Sequence, residues 1–174
     1  GWRQIYYLYF PIVFLAIYGI SIIEKKFKII TKILIPIYIC LVIGWIIFNH
    51  PYQYVYYNYP FSKISKKNFE FDYWGVSNYQ ILNYIKNNYD REFYKVFVFS
   101  VSPYKQSTLL FNDEDKSKFL FTKNENEADF IVTNHYYQKK NPPEMRLFLK
   151  KKYRPVYEIK VNNIIINSLY EKRK

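Results

Sequence analysis

The chain opens with two long apolar runs and then changes character. From Gln4 to Ile23 there is no Asp, Glu, Lys, Arg or His, and from Ile33 to Asn49 there is again none. Both runs are apolar on every side rather than along one stripe, which is the pattern of a helix surrounded by apolar material. A bilayer core of about 30 Å takes ~20 helical residues at ~1.5 Å each. The first run meets that length. The second reaches it when Ile29, Ile30 and Thr31 join it and Lys32 extends to the interface. The expectation is two transmembrane helices, about 4–23 and 29–49, in a first region 1–49. The competing reading is a pair of buried core helices in a soluble protein.

Trp2, Tyr6, Tyr7 and Tyr9 cluster at one end of the first run, and Trp45 lies near the end of the second. Such rings favour the headgroup level. Between the runs, Glu24, Lys25, Lys26, Lys28 and Lys32 crowd into a short connection. Short basic loops stay on the cytoplasmic side, so residues 50–174 are expected to form an extracytoplasmic domain of a multi-pass protein. The first run lacks the basic leader and small-residue cleavage site of a signal peptide.

Beyond the runs, the pattern alternates. Ser77 reads as an N-cap, and Ile81, Leu82, Tyr84, Ile85 and Tyr89 recur at helical spacing over Tyr79–Tyr89. Lys95–Val101 is a short apolar strand ended by Pro103, and Tyr104–Phe111 a short helix. Asn112–Lys118 reads as a polar loop, Phe119–Thr122 and Ala128–Thr133 as strands, and Lys139–Pro143 as a loop. Val156–Val161 and Ile164–Leu169 flank Asn162-Asn163, a dipeptide that accepts the positive φ of a tight hairpin turn. The fold class is α/β: a small extracytoplasmic domain with a mixed sheet ending in an antiparallel hairpin.

Composition narrows the chemistry. The 174 residues carry 26 Lys+Arg against 14 Asp+Glu, a net charge of +12, with 22% aromatics. Lys, Asn, Ile, Tyr and Phe are raised together, as A/T-rich coding would raise them, and no nucleic-acid-binding signature accompanies the charge, so no nucleic acid partner is expected. The densest basic run, Lys150, Lys151, Lys152 and Arg154, reads as a solvated face, with contact to anionic headgroups as the alternative. One cysteine, Cys40, excludes an internal disulfide and a cysteine zinc site. His50 and His135 lack metal-ligand spacing, and no Gly-rich phosphate loop or nucleophile elbow occurs, so no cofactor and no metal are expected. Gly1 rather than Met opens the chain, which reads as a piece of a longer protein.

Three local patterns go further. Gly1-Trp2-Arg3 with Tyr7-Leu8-Tyr9-Phe10-Pro11 opens the first run. His50-Pro51-Tyr52-Gln53-Tyr54-Val55-Tyr56-Tyr57-Asn58 follows the second. Phe71-Asp72-Tyr73-Trp74-Gly75-Val76-Ser77 opens the first soluble helix. In this order they resemble the C-terminal part of bacterial polytopic membrane glycosyltransferases related to dolichyl-phosphate-mannose–protein mannosyltransferase, of GT-C architecture. The ending, Val156–Ile159 through Ile166–Tyr170, is similar to that family's closing hairpin. Gln4 stands where the family has His, Tyr57 where Phe is usual, and Asn163 where a turn Gly is usual.

The resemblance implies transfer of a sugar from a polyprenyl-phosphate carrier to a glycan, lipid or protein acceptor at the outer face of the bacterial cytoplasmic membrane. It places the catalytic carboxylate upstream of this chain, so no catalytic residue is expected here. It leaves Arg3 as a grip for the carrier phosphate, and His50, Tyr52, Gln53 and Tyr54 as substrate-binding residues. Asp72 and Trp74 are expected to dock the outer domain on the membrane part rather than touch substrate. The competing function is a non-catalytic, membrane-anchored binding or assembly module, with exposed tyrosines as contact residues.

Overall fold

The computed structural model describes residues 6–55, 71–135 and 143–173. The chain divides into two compact units, Gly1–His50 and Pro51–Lys174.

The first unit is one helix, α1, Tyr9–Phe48. Its apolar side chains stand exposed: Phe14 is 68% exposed, Ile29 76% and Phe48 89%. It is a single stretch long and apolar enough to cross a membrane, with a mean hydropathy of 2.3. Two separate helices are not observed. The reason lies in the connection: Glu24–Lys32 contains no Gly, Pro or Asn to end a helix, and Lys, Glu and Ile sustain one. The interruption is local. Phe27 alone leaves helical dihedrals inside α1 (φ −128°, ψ 47°), and Thr31 Oγ1 donates to the carbonyls of Phe27 and Lys28 at 3.1 and 3.2 Å.

The second unit is mixed α/β. Its elements are a 3₁₀ turn at Gln53–Val55, α2 (Asn78–Asn88), β1 (Tyr94–Val98), α3 (Tyr104–Ser107) continued by a 3₁₀ turn at Thr108–Leu110, α4 (Asp113–Ser117), β2 (Phe119–Thr122), a 3₁₀ turn at Glu125–Glu127, β3 (Phe130–Thr133), α5 (Pro143–Lys152), β4 (Tyr153–Val161) and β5 (Ile164–Lys172). The five-stranded sheet has the order β2-β1-β3-β5-β4. β1 runs parallel to β2 and β3, whereas β5 runs antiparallel to both β3 and β4.

Both faces of the sheet are covered. Val96 pairs with Phe130, and Val132 with Leu169; all four are buried on one face. There α2 contributes Ile81, Leu82 and Ile85, all fully buried, and Tyr89 meets Phe130 edge to face at 4.7 Å. On the other face, Leu149 of α5 packs with Ile131, Ala128 and Tyr153, joined by Phe97, Phe148 and Tyr170. The alternation of inward side chains along β1 and β3 therefore feeds two layers of helix.

The expected hairpin is present. Asn162 and Asn163 both adopt positive φ, 49° and 62°, the pair a two-residue turn of this hand requires. Its outer strand, β4, starts earlier than expected, at Tyr153, and tolerates Pro155 because it is an edge strand; a register shift falls between Pro155 and Tyr157. Asn112–Lys118 is not a loop. Asn112 Oδ1 accepts from Asp115 N at 2.8 Å, and Asp113, Glu114 and Asp115 oppose the positive end of the helix dipole, so the polar run forms α4. Most of Lys139–Pro143 lies outside the described residues, and Pro143 begins α5.

Ile131 is the central test of this packing. Ile131→Ala is expected to destabilise the domain by about 2–5 kcal/mol, the usual range for emptying a fully buried aliphatic site; denaturant unfolding of the purified chain measures it.

Candidate functional site

The polar residues of the domain converge at the carboxyl ends of β1 and β3. The loop before α2 brings Asp72 there with its side chain fully buried. Four donors meet its carboxylate. Tyr54 Oη donates to Oδ1 at 2.7 Å and Val76 N at 2.9 Å, Ser77 N donates to Oδ2 at 3.3 Å, and the Ser77 hydroxyl donates to Oδ2 as well. Ser77 is thus the N-cap residue of α2, but its hydroxyl serves Asp72 rather than a helix N–H. The Asp72 carbonyl accepts from Gly75 N at 3.1 Å and from Asn134 Nδ2 at 2.6 Å, which ties the loop to the end of β3.

Gly75 completes the turn. Its φ is +67°, and a Cβ there would stand 2.4 Å from Asn78 Nδ2 and 2.8 Å from Ser102 Oγ. Only glycine fits both the dihedral and the space. The turn leaves Tyr73 and Trp74 outside, 50% and 60% exposed, with their rings edge to face at 5.0 Å. The Asp-Tyr-Trp-Gly sequence therefore works as one device: a buried anchor, two outward aromatic rings and a left-handed residue that closes the turn.

Amide side chains around the turn lock the anchor. Asn167 of β5 donates from Nδ2 to Ser77 Oγ at 2.7 Å and to Asn78 Oδ1 at 3.3 Å, while its Oδ1 accepts from Tyr104 Oη at 2.7 Å. Asn78 Nδ2 donates to Ser102 Oγ at 2.7 Å. Asn134 N donates to Ser100 Oγ at 3.2 Å, and His135, at φ 58°, places Nε2 2.9 Å from Ser168 Oγ.

The expected substrate-binding residues fall in different places. Arg3 lies outside the described residues. His50 ends the first unit, its N–H donating to Ile47 O at 3.4 Å. Tyr52, Gln53 and Tyr54 belong to the second unit. Tyr52 is buried and donates to Gln80 Oε1; Gln80 Nε2 donates to Tyr157 Oη at 2.8 Å, and Tyr157 stacks on Tyr84 at 4.1 Å. The Tyr52 and Tyr54 rings meet edge to face at 6.4 Å. Both hydroxyls are thus engaged inside the domain, as fastenings of the segment that carries them. Gln53 begins the 3₁₀ turn.

The electrostatics follow from this. Burial, then the Asp72 charge and then Tyr157 push the Tyr52 phenol up to about 12. The Tyr54 ring is 39% exposed, yet its hydroxyl is turned to a buried carboxylate. Burial there, followed by the charge and the hydrogen bond of Asp72, raises it far above the ordinary phenol value. With four donors on its two oxygens, the Asp72 carboxylate serves the structure of the turn. Among the described residues no group of three or more His, Cys, Asp or Glu side chains is placed to hold a metal ion.

Asn134, Asn167, Gln80 and Tyr104 were not singled out from the sequence. Asn167 meets its partners across 89 and 90 positions, and Asn134 meets Asp72 across 62. No local spacing signals such contacts.

Two outcomes follow. Tyr54→Phe removes one donor from a buried carboxylate, and is expected to cost about 1–3 kcal/mol by denaturant unfolding. For Tyr52, the folded state keeps its proton up to about pH 12, whereas the unfolded phenol loses it near its ordinary value of 10.0. The folded state then binds more protons, so stability contributed by this group is full below pH ~10 and is lost as pH rises through the folded value. Thermal unfolding scans above pH 10 are expected to fall, and to fall less steeply in Tyr52→Phe.

Comparison with protein-family models, with curated proteins and with solved structures found no match to the chain.

Proposed function

We propose that the chain is the C-terminal part of an integral membrane glycosyltransferase that moves a sugar from a polyprenyl-phosphate carrier to an acceptor at the outer membrane face. One observation carries the reading. Two stretches that carry the resemblance, the one beginning at His50 and the one beginning at Phe71, are joined by the 2.7 Å bond between Tyr54 and Asp72. The bond makes these stretches one structural device at the entry to the outer domain. The exposed apolar helix α1 supports a membrane setting, and only Asn49, His50 and Pro51 separate its end from Tyr52.

In this reading α1 divides at Phe27 into two spans, the lysines around it face the cytosol, and residues 50–174 lie outside. The carrier phosphate is held by Arg3 beside Trp2, a guanidinium matching a phosphate with paired donors. Tyr52 and Tyr54 are positioning residues that hold the start of the outer domain. Tyr73 and Trp74 supply an aromatic surface for a sugar ring or the headgroup region. The reacting carboxylate comes from the part of the enzyme upstream.

The test uses the full-length parent protein. Purified in detergent with a panel of polyprenyl-phosphate sugars and acceptors, it is expected to release sugar from the carrier, and Arg3→Ala is expected to weaken donor binding. In intact cells, with Cys40 replaced by Ala, a cysteine placed at Lys116 is expected to react with a membrane-impermeant maleimide. Absence of transfer across the panel, with labelling retained, leaves the anchored assembly module as the function; absence of labelling removes the topology.

A further inference from the structure

At the other end of the sheet, the fold gathers cations that the sequence keeps apart. β5 is antiparallel to β3, so its carboxyl end lies beside the amino end of β3: Lys172 N donates to Asp129 O at 2.9 Å. Pairing with β4 sets Lys172 opposite Tyr153, and Arg173 N donates to Lys152 O at 2.8 Å. The basic run at the end of α5 thereby meets the basic end of β5. Two adjoining clefts of about 490 and 400 Å³ result, sharing Lys172 and Arg173; Arg154 lines the first, and Lys151 and Lys152 line the second.

Three acids stand near these clefts: Glu125 and Asp129 beside Tyr153, Asp129 paired with Arg91 at 3.2 Å, and Glu171 in the lining of the first. Glu171 Oε2 accepts from Arg154 Nε at 3.1 Å and from Nη2 at 2.7 Å, and its Oε1 lies 3.7 Å from Arg91. The lysines are held by neutral groups instead. Lys152 Nζ donates to Asn126 Oδ1 and Lys172 Nζ to Asn126 O, each at 2.8 Å, so one uncharged residue fixes two like charges side by side. Arg173 Nε donates to Tyr153 O at 3.1 Å, which orients its guanidinium at the cleft. Like charges fixed in a concave wall focus positive potential and raise the local concentration of anions. The helix dipole of α5 accounts for lysines in its last turn, but not for Lys172 and Arg173 arriving from another strand.

We propose that these clefts form a binding site for a phosphate-bearing anion with two or more charges, of the diphosphate class. Arg173 takes the phosphoryl oxygens with paired donors, and Lys151, Lys152 and Lys172 neutralise the remaining charge. The site is built within the second unit and is independent of the membrane reading.

Inorganic pyrophosphate is the probe, titrated calorimetrically into the full chain in uncharged detergent micelles at low salt. Saturable binding is expected, weakening as salt rises. Lys172→Gln with Arg173→Gln is expected to weaken it at least ~10-fold, about the effect of losing one strong charge-assisted contact. Lys151→Gln, whose side chain has no hydrogen bond or ion pair among the described residues, is expected to weaken it too, with unchanged thermal unfolding. Lys105→Gln on α3 is expected to leave it unchanged. No binding, or equal losses in the Lys105 and Lys172/Arg173 variants, overturns the site, since the charge is then diffuse. Mixed micelles doped with an anionic phospholipid separate the sources: tighter variant-sensitive binding than to pyrophosphate assigns a lipid headgroup, weaker binding a free phosphate. Tighter variant-sensitive binding of duplex DNA would also overturn the proposal.

Discussion

The outer domain depends on how a single buried charge is satisfied. A carboxylate removed from water costs several kcal/mol unless donors replace its hydration. Asp72 is fully buried, and among the described residues no Lys or Arg pairs with it; two hydroxyls and two backbone amides do the work of water. Each donor belongs to something the fold must place. Tyr54 belongs to the segment entering the domain, Ser77 to the start of α2, and Val76 to the turn between. Through its carbonyl, Asp72 also takes hold of Asn134 at the end of β3. Four parts of the domain are therefore positioned by one residue, and the outward display of Tyr73 and Trp74 is a consequence of that turn.

This division of labour changes the meaning of the tyrosines. By residue type, Tyr52 and Tyr54 suit a substrate surface equally well. What decides is the direction of their hydroxyls, towards Gln80 and Asp72. A phenol spent on a buried partner is a poor ligand for a mobile one, because freeing it leaves the partner unsatisfied. The residues of this region that keep large exposed area are Tyr73 and Trp74.

Local rules were legible in the sequence and long-range ones were not. Asn162-Asn163 announced its turn because positive φ at consecutive residues is a local demand. Val96, Phe130 and Ile131 announced their strands through short apolar runs. α4 was hidden because its charges look like those of a loop; Asn112 as cap was the available signal, followed by three acids. The continuity of α1 through Lys25–Lys32 was hidden because a basic stretch was read as a connection, although its residues are helix formers. Asn134 and Asn167 were invisible for a different reason: a buried amide is defined by partners that only the closed sheet supplies.

The same reasoning bears on the net charge of +12. A biased composition explains how many lysines the chain has, but not where folding leaves them. The acidic residues of the domain are largely committed to partners: Asp115 to Lys86 at 2.8 Å, Asp129 to Arg91 at 3.2 Å, and Glu171 to Arg154 and Arg91. At the carboxyl ends of β1 and β3 the fold buries a network of amides and hydroxyls around one anion. At the amino end it collects cations, of which Arg154 and Arg91 pair with carboxylates while Lys152, Lys172 and Arg173 donate to carbonyl oxygens. Random enrichment would distribute the excess over both ends. Antiparallel return of β5 concentrates it at one, because strand direction, not composition, decides which terminus meets α5. The two ends of the sheet are consequently different chemical surfaces, an aromatic one built on Asp72 and a cationic one built on Asn126.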